Sequence, residues 1–414
     1  MSRATEVGPG ASAPVTDLLD PRMFSDPFDV YADLRRNHPV APVRAPLVRE
    51  GGYMVTRYRD VLTVHTDPRF STDMITHGPA RLVRFAPRLF RVLIDSMVFK
   101  DDPEHLRLRG LVNKAFTPKR VRAMTDDIAR IADELVVGMA GADEPVDLVE
   151  ALATPLPLSV IASMLGVGPG DRDRFHADVR SMLSRFSTGP VGAVQAMPPS
   201  RRLLRLFDRL AAERRAEPDD GLITALVQAE EDDDALGDDE VISMMFLLLL
   251  AGHDTTSNLI ASGVLALLDH PEQLQRLRDD PTLIDRAVEE LLRFTSPVPF
   301  GTTRYVLDDV ELSGVVLPRG SEVIGMIISA NRDETEFDHP EELDLGRDPN
   351  RHLAFAFGSH FCLGNQLARL EARAAIGALV RTFDRIELAV PRDRIRYKPT
   401  PSLRGPVSVP LRLT

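Results

Sequence analysis

The stretch Phe355-Ala356-Phe357-Gly358-Ser359-His360-Phe361-Cys362-Leu363-Gly364 decides how this chain is read. It holds the one cysteine among 414 residues. An intrachain disulfide is therefore impossible, and a zinc or iron–sulfur site built from several cysteines is excluded. A cysteine on its own is most simply a small buried apolar residue. Its neighbours argue for a ligand instead. Gly358 and Gly364 bracket it, and glycine permits tight turns and the close approach of a flat group. A helical run, Asn365 to Val380, starts directly after it. Backbone N–H groups and the positive end of the helix dipole stabilise a thiolate there.

The segment resembles the haem-binding loop of the cytochrome P-450 family, through Phe355, Gly358, His360, Cys362 and Gly364 at fixed offsets. One position departs from that pattern. The family usually places glycine after the Phe, and this chain has Ala356. The resemblance implies a mainly α protein with a smaller β-rich part, and a heme b held between a long central helix and the cysteine loop. Cys362 would be the metal ligand. The implied activity is that of a haem-thiolate monooxygenase of the soluble bacterial type. Such an enzyme inserts one oxygen atom of O2 into a C–H or C=C bond of an apolar small molecule, here in secondary metabolism. No flavin or nucleotide fingerprint follows the loop. Electrons from NAD(P)H are thus expected through a separate ferredoxin- or flavodoxin-type donor and its reductase. The alternatives are a peroxide-using, isomerising or oxidative-coupling haem enzyme, and a haem sensor or carrier.

Composition narrows the setting. Hydrophobic residues make up 43% of the chain, enough for a large core, and the net charge is −12. Such an acidic balance speaks against nucleic acid or an anionic membrane as the main partner. Residues 1–16 contain no apolar run, and the longest one, Ile242 to Gly252, is about half of a membrane span. A flexible tail over 1–16, a single domain over 17–414 and a cytoplasmic location are expected.

The segment Val40 to Val64 reads as short strands around a Gly51-Gly52 turn. Residues 125–295 are almost wholly helical by period. Arg304 to Ile328 and Ile386 to Leu413 return to strands and turns. The β-rich part thus draws on both ends of the chain.

The longest helical candidate, Glu240 to Leu268, follows an acidic run and is apolar on nearly all faces, so it should be buried. A polar interruption, Ala251-Gly252-His253-Asp254-Thr255-Thr256, stands in its middle. One reading is threonines bonded back to the preceding turn. The resemblance gives another: Gly252 leaves room over the haem, Ala251 and Thr255 contact it, Asp254 and Thr255 manage protons during oxygen activation, and His253 faces away. Glu290 and Arg293 share a helical face. In the family such a pair is closed by a further arginine, here Arg347, as a structural lock. Four positions match the family's partners for the haem propionates: His105 and Arg109 at i and i+4, Arg304, and His360.

The substrate-facing segments are less informative. Arg81, Arg84, Arg88 and Arg91 form one helical stripe, read either as a solvated face or as a site for an anionic or carrier-bound substrate. With 6% aromatics and no tryptophan, aliphatic, Phe and Met side chains are expected to line the pocket. That suits a terpenoid, steroid, fatty acid or macrolide. On family analogy, Arg107, Lys114, Arg351 and Arg369 are candidate docking cations for the electron donor.

Overall fold

A computed structural model describes residues 13–45, 48–49, 51–78, 85–141, 144–186, 189–231 and 234–414. Its axis is a single helix, Asp238–Asp269, of 32 residues, about 48 Å long at 1.5 Å per residue. The acidic run caps it: Asp238, Asp239 and Glu240 occupy the first turn, and Glu240 Oε2 accepts the Gly237 N–H at 2.8 Å. It stops at His270, where Pro271 forbids a further helical residue before it. Most of its residues are buried in the largest apolar cluster, which also takes in Ile161, Leu203, Phe207, Leu291 and Ile376 from neighbouring helices.

The strands gather at one side. A six-stranded sheet runs in the order Thr16–Asp17, Val40–Arg44, Tyr53–Val55, Glu322–Gly325, Arg304–Val306, Phe70–Ser71. Two late strands therefore sit between early ones in one sheet, and the β-rich part draws on distant stretches of the chain, as the strand pattern predicts. Ile386–Leu388 pairs with Pro410–Leu413, which also pairs with Val146–Asp147. That last strand interrupts the stretch read as helical.

Local details differ from the sequence reading. The hairpin around Gly51 forms, with Val40, Ala41 and Pro42 opposite Val55, Met54 and Tyr53. Residues Tyr58–Thr66 are a helix rather than more strand, because Tyr58, Val61, Val64 and His65 recur at helical spacing and are all buried. The strand over Val323 ends at Gly325, and Ile327–Ala330 turns as a short helix. Thr16, read as tail, pairs with Val43; residues 1–12 lie outside the described ones. No described helix is long and apolar enough to cross a membrane.

Candidate active site

The cysteine loop is tied down by its own backbone. Cys362 N–H donates to Phe355 O at 2.9 Å, and Phe361 N–H to Gly358 O at 3.1 Å. Gly358 has φ +77°, and a Cβ there would stand 2.9 Å from the His65 carbonyl oxygen, so only glycine fits. Gly364 precedes the Asn365–Thr382 helix, and a Cβ on it would meet open space. Burial pushes the Cys362 thiol up, while the Gly364 N–H and the Arg109 and Arg369 charges pull it down.

A rigid support lies behind the loop. Arg293 donates to both Glu290 oxygens at 2.8 Å, and both side chains are fully buried. Arg347 Nε reaches the same carboxylate at 3.1 Å. The remaining Arg293 donors reach the carbonyls of Asn331, Pro340 and Glu342. The expected Glu–Arg–Arg lock is thus assembled, and it holds the 340–347 segment. Sequence reasoning missed two further anchors. Asn331 Oδ1 accepts the Leu353 N–H at 2.7 Å. Glu289 binds both Arg369 and His352; burial raises its pKa, but the hydrogen bonds from these two side chains outweigh it and hold it down at about 2.

The four proposed propionate partners converge. The His105 and His360 rings stand 4.0 Å apart, centroid to centroid. Arg109 Nη2 donates to Phe361 O at 2.7 Å, next to the cysteine. Arg304 is buried, and its Nε has no partner among the described residues. Burial pulls the Arg304 pKa down to about 10. Burial, then the charges of His105 and Arg304, push His360 down to about 3. Asp101 lies beside this group, bonded to Thr72 N–H and Oγ1 at 2.8 and 2.9 Å. Nothing in the local pattern around Asp101 marked it.

On the central helix the predominantly buried surface is broken by one stripe. Leu247, Leu248, Leu250, Gly252, Asp254 and Thr255 are partly accessible and Ala251 is exposed, positions that fall on one broad side of the helix. Thr255 Oγ1 donates to Ala251 O at 2.6 Å, the back-bond that the threonine pattern predicts. Asp254 is held by Lys398 Nζ at 3.2 Å, a contact spanning 144 residues that no motif announces. His253 is buried, off the accessible stripe. Gly252 is partly accessible, and a Cβ there would meet Ile161 Cδ1 at 3.2 Å. This glycine makes room for the Pro155–Met164 helix.

Two further expectations change. Arg88 is no free cation: it binds Asp208 at 2.8 Å and Asp239 at 2.6 Å, and Arg91 also reaches Asp239. Arg81 and Arg84 lie outside the described residues. Of the docking cations, Arg369 is bound to Glu289 and lies over the Phe355 ring, and Arg107 is paired with Glu104 and Glu240.

A haem fits this donor set. Two arginines and two buried imidazoles, with one orphaned buried N–H on Arg304, suit a dianionic edge. The open space at Gly364 and the accessible stripe on an otherwise buried helix suit a flat body. A single thiol at a helix N-terminus suits an axial ligand.

Comparison with known proteins agrees. The family model described as "Cytochrome P450" matches residues 60–396. The chain is 39% identical over 417 residues to the cytochrome P450 monooxygenase PikC of Streptomyces venezuelae, covering 99% of this chain and 97% of that one. It is 38% identical over 384 residues to the mycinamicin IV hydroxylase/epoxidase of Micromonospora griseorubida, covering 92% and 94%. The solved structure of the cytochrome P450 PksS from the bacillaene polyketide synthase of Bacillus subtilis 168 superposes with a TM-score of 0.88 at 36% identity, covering 96% of this chain and 99% of that one. From the cysteine loop to the central helix and across nearly its whole length, the chain belongs to the cytochrome P450 family.

Proposed function

We propose that this P450 monooxygenase hydroxylates or epoxidises a large apolar natural product, with heme b ligated by Cys362. The observation that carries the reading is the convergence of His105, Arg109, Arg304 and His360 beside the cysteine loop, in a fold whose central helix keeps one accessible stripe. When bound, the haem supplies the binding and reductive activation of dioxygen.

The chain's own residues have separate tasks. Cys362 Sγ would ligate the haem iron, with the Gly364 N–H restraining its basicity. Arg109, Arg304, His105 and His360 would hold the two carboxylates. Ala251, exposed on the central helix, would border the haem. Thr255 Oγ1–H donates its hydrogen bond to Ala251 O, which leaves the oxygen lone pairs to hold a water on the accessible stripe. Asp254 is partly accessible and held by Lys398. It can collect a proton from solvent and pass it to that water. Glu290, Arg293 and Arg347 keep the cysteine segment in register.

The substrate class rests on composition and on relatives named for mycinamicin IV and for polyketide biosynthesis. We assign electron delivery to a ferredoxin- or flavodoxin-type protein fed by NAD(P)H, the chain to the cytoplasm, and residues 17–414 to one domain. In a Thr255→Ala variant, reductant and O2 consumption should continue while product falls and peroxide rises. Unchanged coupling would remove the role given to Thr255. A spectral screen for compounds that shift the ferric haem from low to high spin identifies the substrate.

A further inference from the structure

His65 belongs to no motif and lies on the Tyr58–Thr66 helix, far in sequence from the groups described above. Its side chain is buried. The ring Nδ1 stands 3.4 Å from Arg304 Nη2, and the ring Nε2 has no partner among the described residues. An arginine only donates. The contact therefore requires Nδ1 to accept, which puts the ring proton on Nε2. Burial, then the Arg304 charge, push the imidazole pKa down to about 3, so the ring is neutral and Nδ1 keeps its lone pair at neutral pH. A buried ring with one nitrogen unpaired is an exception that asks for a reason.

The surroundings are built for that ring. A Cβ on Gly301 would stand 2.7 Å from His65 Cε1, closer than such contacts occur, and one on Gly325 would touch Nε2 at 3.7 Å. Gly358, in the cysteine loop, lies over the His65 carbonyl in the same way. Gly301 and Gly325, from two separate segments, thus border the slot in which the imidazole sits, and Gly358 packs on its backbone. Gly301 is three residues before Arg304. The same short segment accommodates the ring and carries the guanidinium that the ring meets.

We propose that His65 is a positioning residue: it accepts a hydrogen bond from Arg304 and so aims the remaining guanidinium donors at a haem carboxylate. Arg304 has five N–H donors on a flexible stem. Among the described residues, the anion whose charge reaches it is Asp101, which is engaged by Ser71 and Thr72. Without a neutral acceptor at its back, the guanidinium is free to swing towards that carboxylate. A cation in the place of His65 would repel Arg304, and an aliphatic residue would leave another donor unpaired. The inference rests on the haem assignment made above.

The test uses the holoenzyme and reads haem release to excess apomyoglobin. The wild-type reduced carbon monoxide spectrum is recorded first. Without a thiolate band there, both the haem assignment and the role of His65 fall. With that band present, His65→Leu should release haem roughly tenfold faster, the weight of one hydrogen bond to a charged group. His65→Asn, whose side-chain oxygen can take the place of Nδ1, should stay close to wild type. In an Arg304→Gln background, His65→Leu should have little further effect. Equal release from wild type and His65→Leu would overturn the proposal while leaving the haem in place. So would equally fast release from the Leu and Asn variants, or full additivity with Arg304→Gln, since each points to ring volume alone. Should the Leu variant fail to fold, ¹⁵N shifts of the wild-type ferrous carbon monoxide complex decide. The Nε2–H tautomer supports the proposal, and a proton on Nδ1 overturns it.

Discussion

Ala356 has φ +58°, the left-handed region in which a Cβ costs about 1–2 kcal/mol. The methyl group after Phe355, the one departure from the family pattern in the loop, is thus a backbone matter. Glycine at this position removes the strain but loses more entropy on folding. Ala356→Gly should therefore stabilise the protein, by up to about 1 kcal/mol in urea unfolding; a loss of stability would contradict this account. Glu371 makes a second case. It is buried and its Oε2 is unpaired among the described residues. Burial raises its pKa from 4.5 to about 8. The folded state keeps this proton while the unfolded state releases it, so stability is full below pH 4.5 and declines as pH rises towards 8. Glu371→Gln should abolish that slope, a gain on the order of a few kcal/mol at pH 8. Parallel pH–stability curves for the two proteins would refute it. Cys362, Thr255 and Glu290 were legible because each sits in a local pattern of fixed spacing. Lys398, His65 and Asp101 were not, because each gains its meaning from a partner far along the chain.

Between elements, the ion pairs divide by burial. The Glu290–Arg293 pair is fully buried and saturated with hydrogen bonds. Removing one partner leaves the other charged and alone. Arg293→Met should destabilise the fold by about 3–5 kcal/mol and lower the haem content of the purified protein. Full occupancy and an unchanged melting point would rule out the lock. The Arg88 pairs are half-exposed and correspondingly weak, at most about 1 kcal/mol each. They nonetheless join the short Arg88–Ile94 helix to the Gly189–Ala216 helix and to the start of the central helix. Arg88→Met should speed hydrogen exchange of the 88–94 amides with little change in global stability. High salt should do the same to the wild type. Protection that stays the same in both would show that apolar contacts alone hold this helix. The sequence pattern showed a stripe of arginines here. It could not show the acidic partners, which come from two other helices.

At the scale of the molecule, the long helix was legible from periodicity and the acidic run before it, and the strands from short apolar runs between turn residues; their order in the sheet was not, because strand pairing is set by contacts far along the chain. The Tyr58–Thr66 helix was misread because a short apolar run fits either period. The electron donor is expected to dock through exposed cations such as Arg351, after the loss of Arg369 and Arg107 to internal ion pairs. Turnover should then fall with added salt while substrate binding holds; insensitivity to salt would exclude charged docking. All of these expectations depend on a thiolate-ligated haem at Cys362, and one spectrum tests that directly. The reduced carbon monoxide complex of the wild type should show the strongly red-shifted Soret band of thiolate ligation, and Cys362→Ser should lose it. A wild type without the band, or a serine variant that keeps it, would contradict the account.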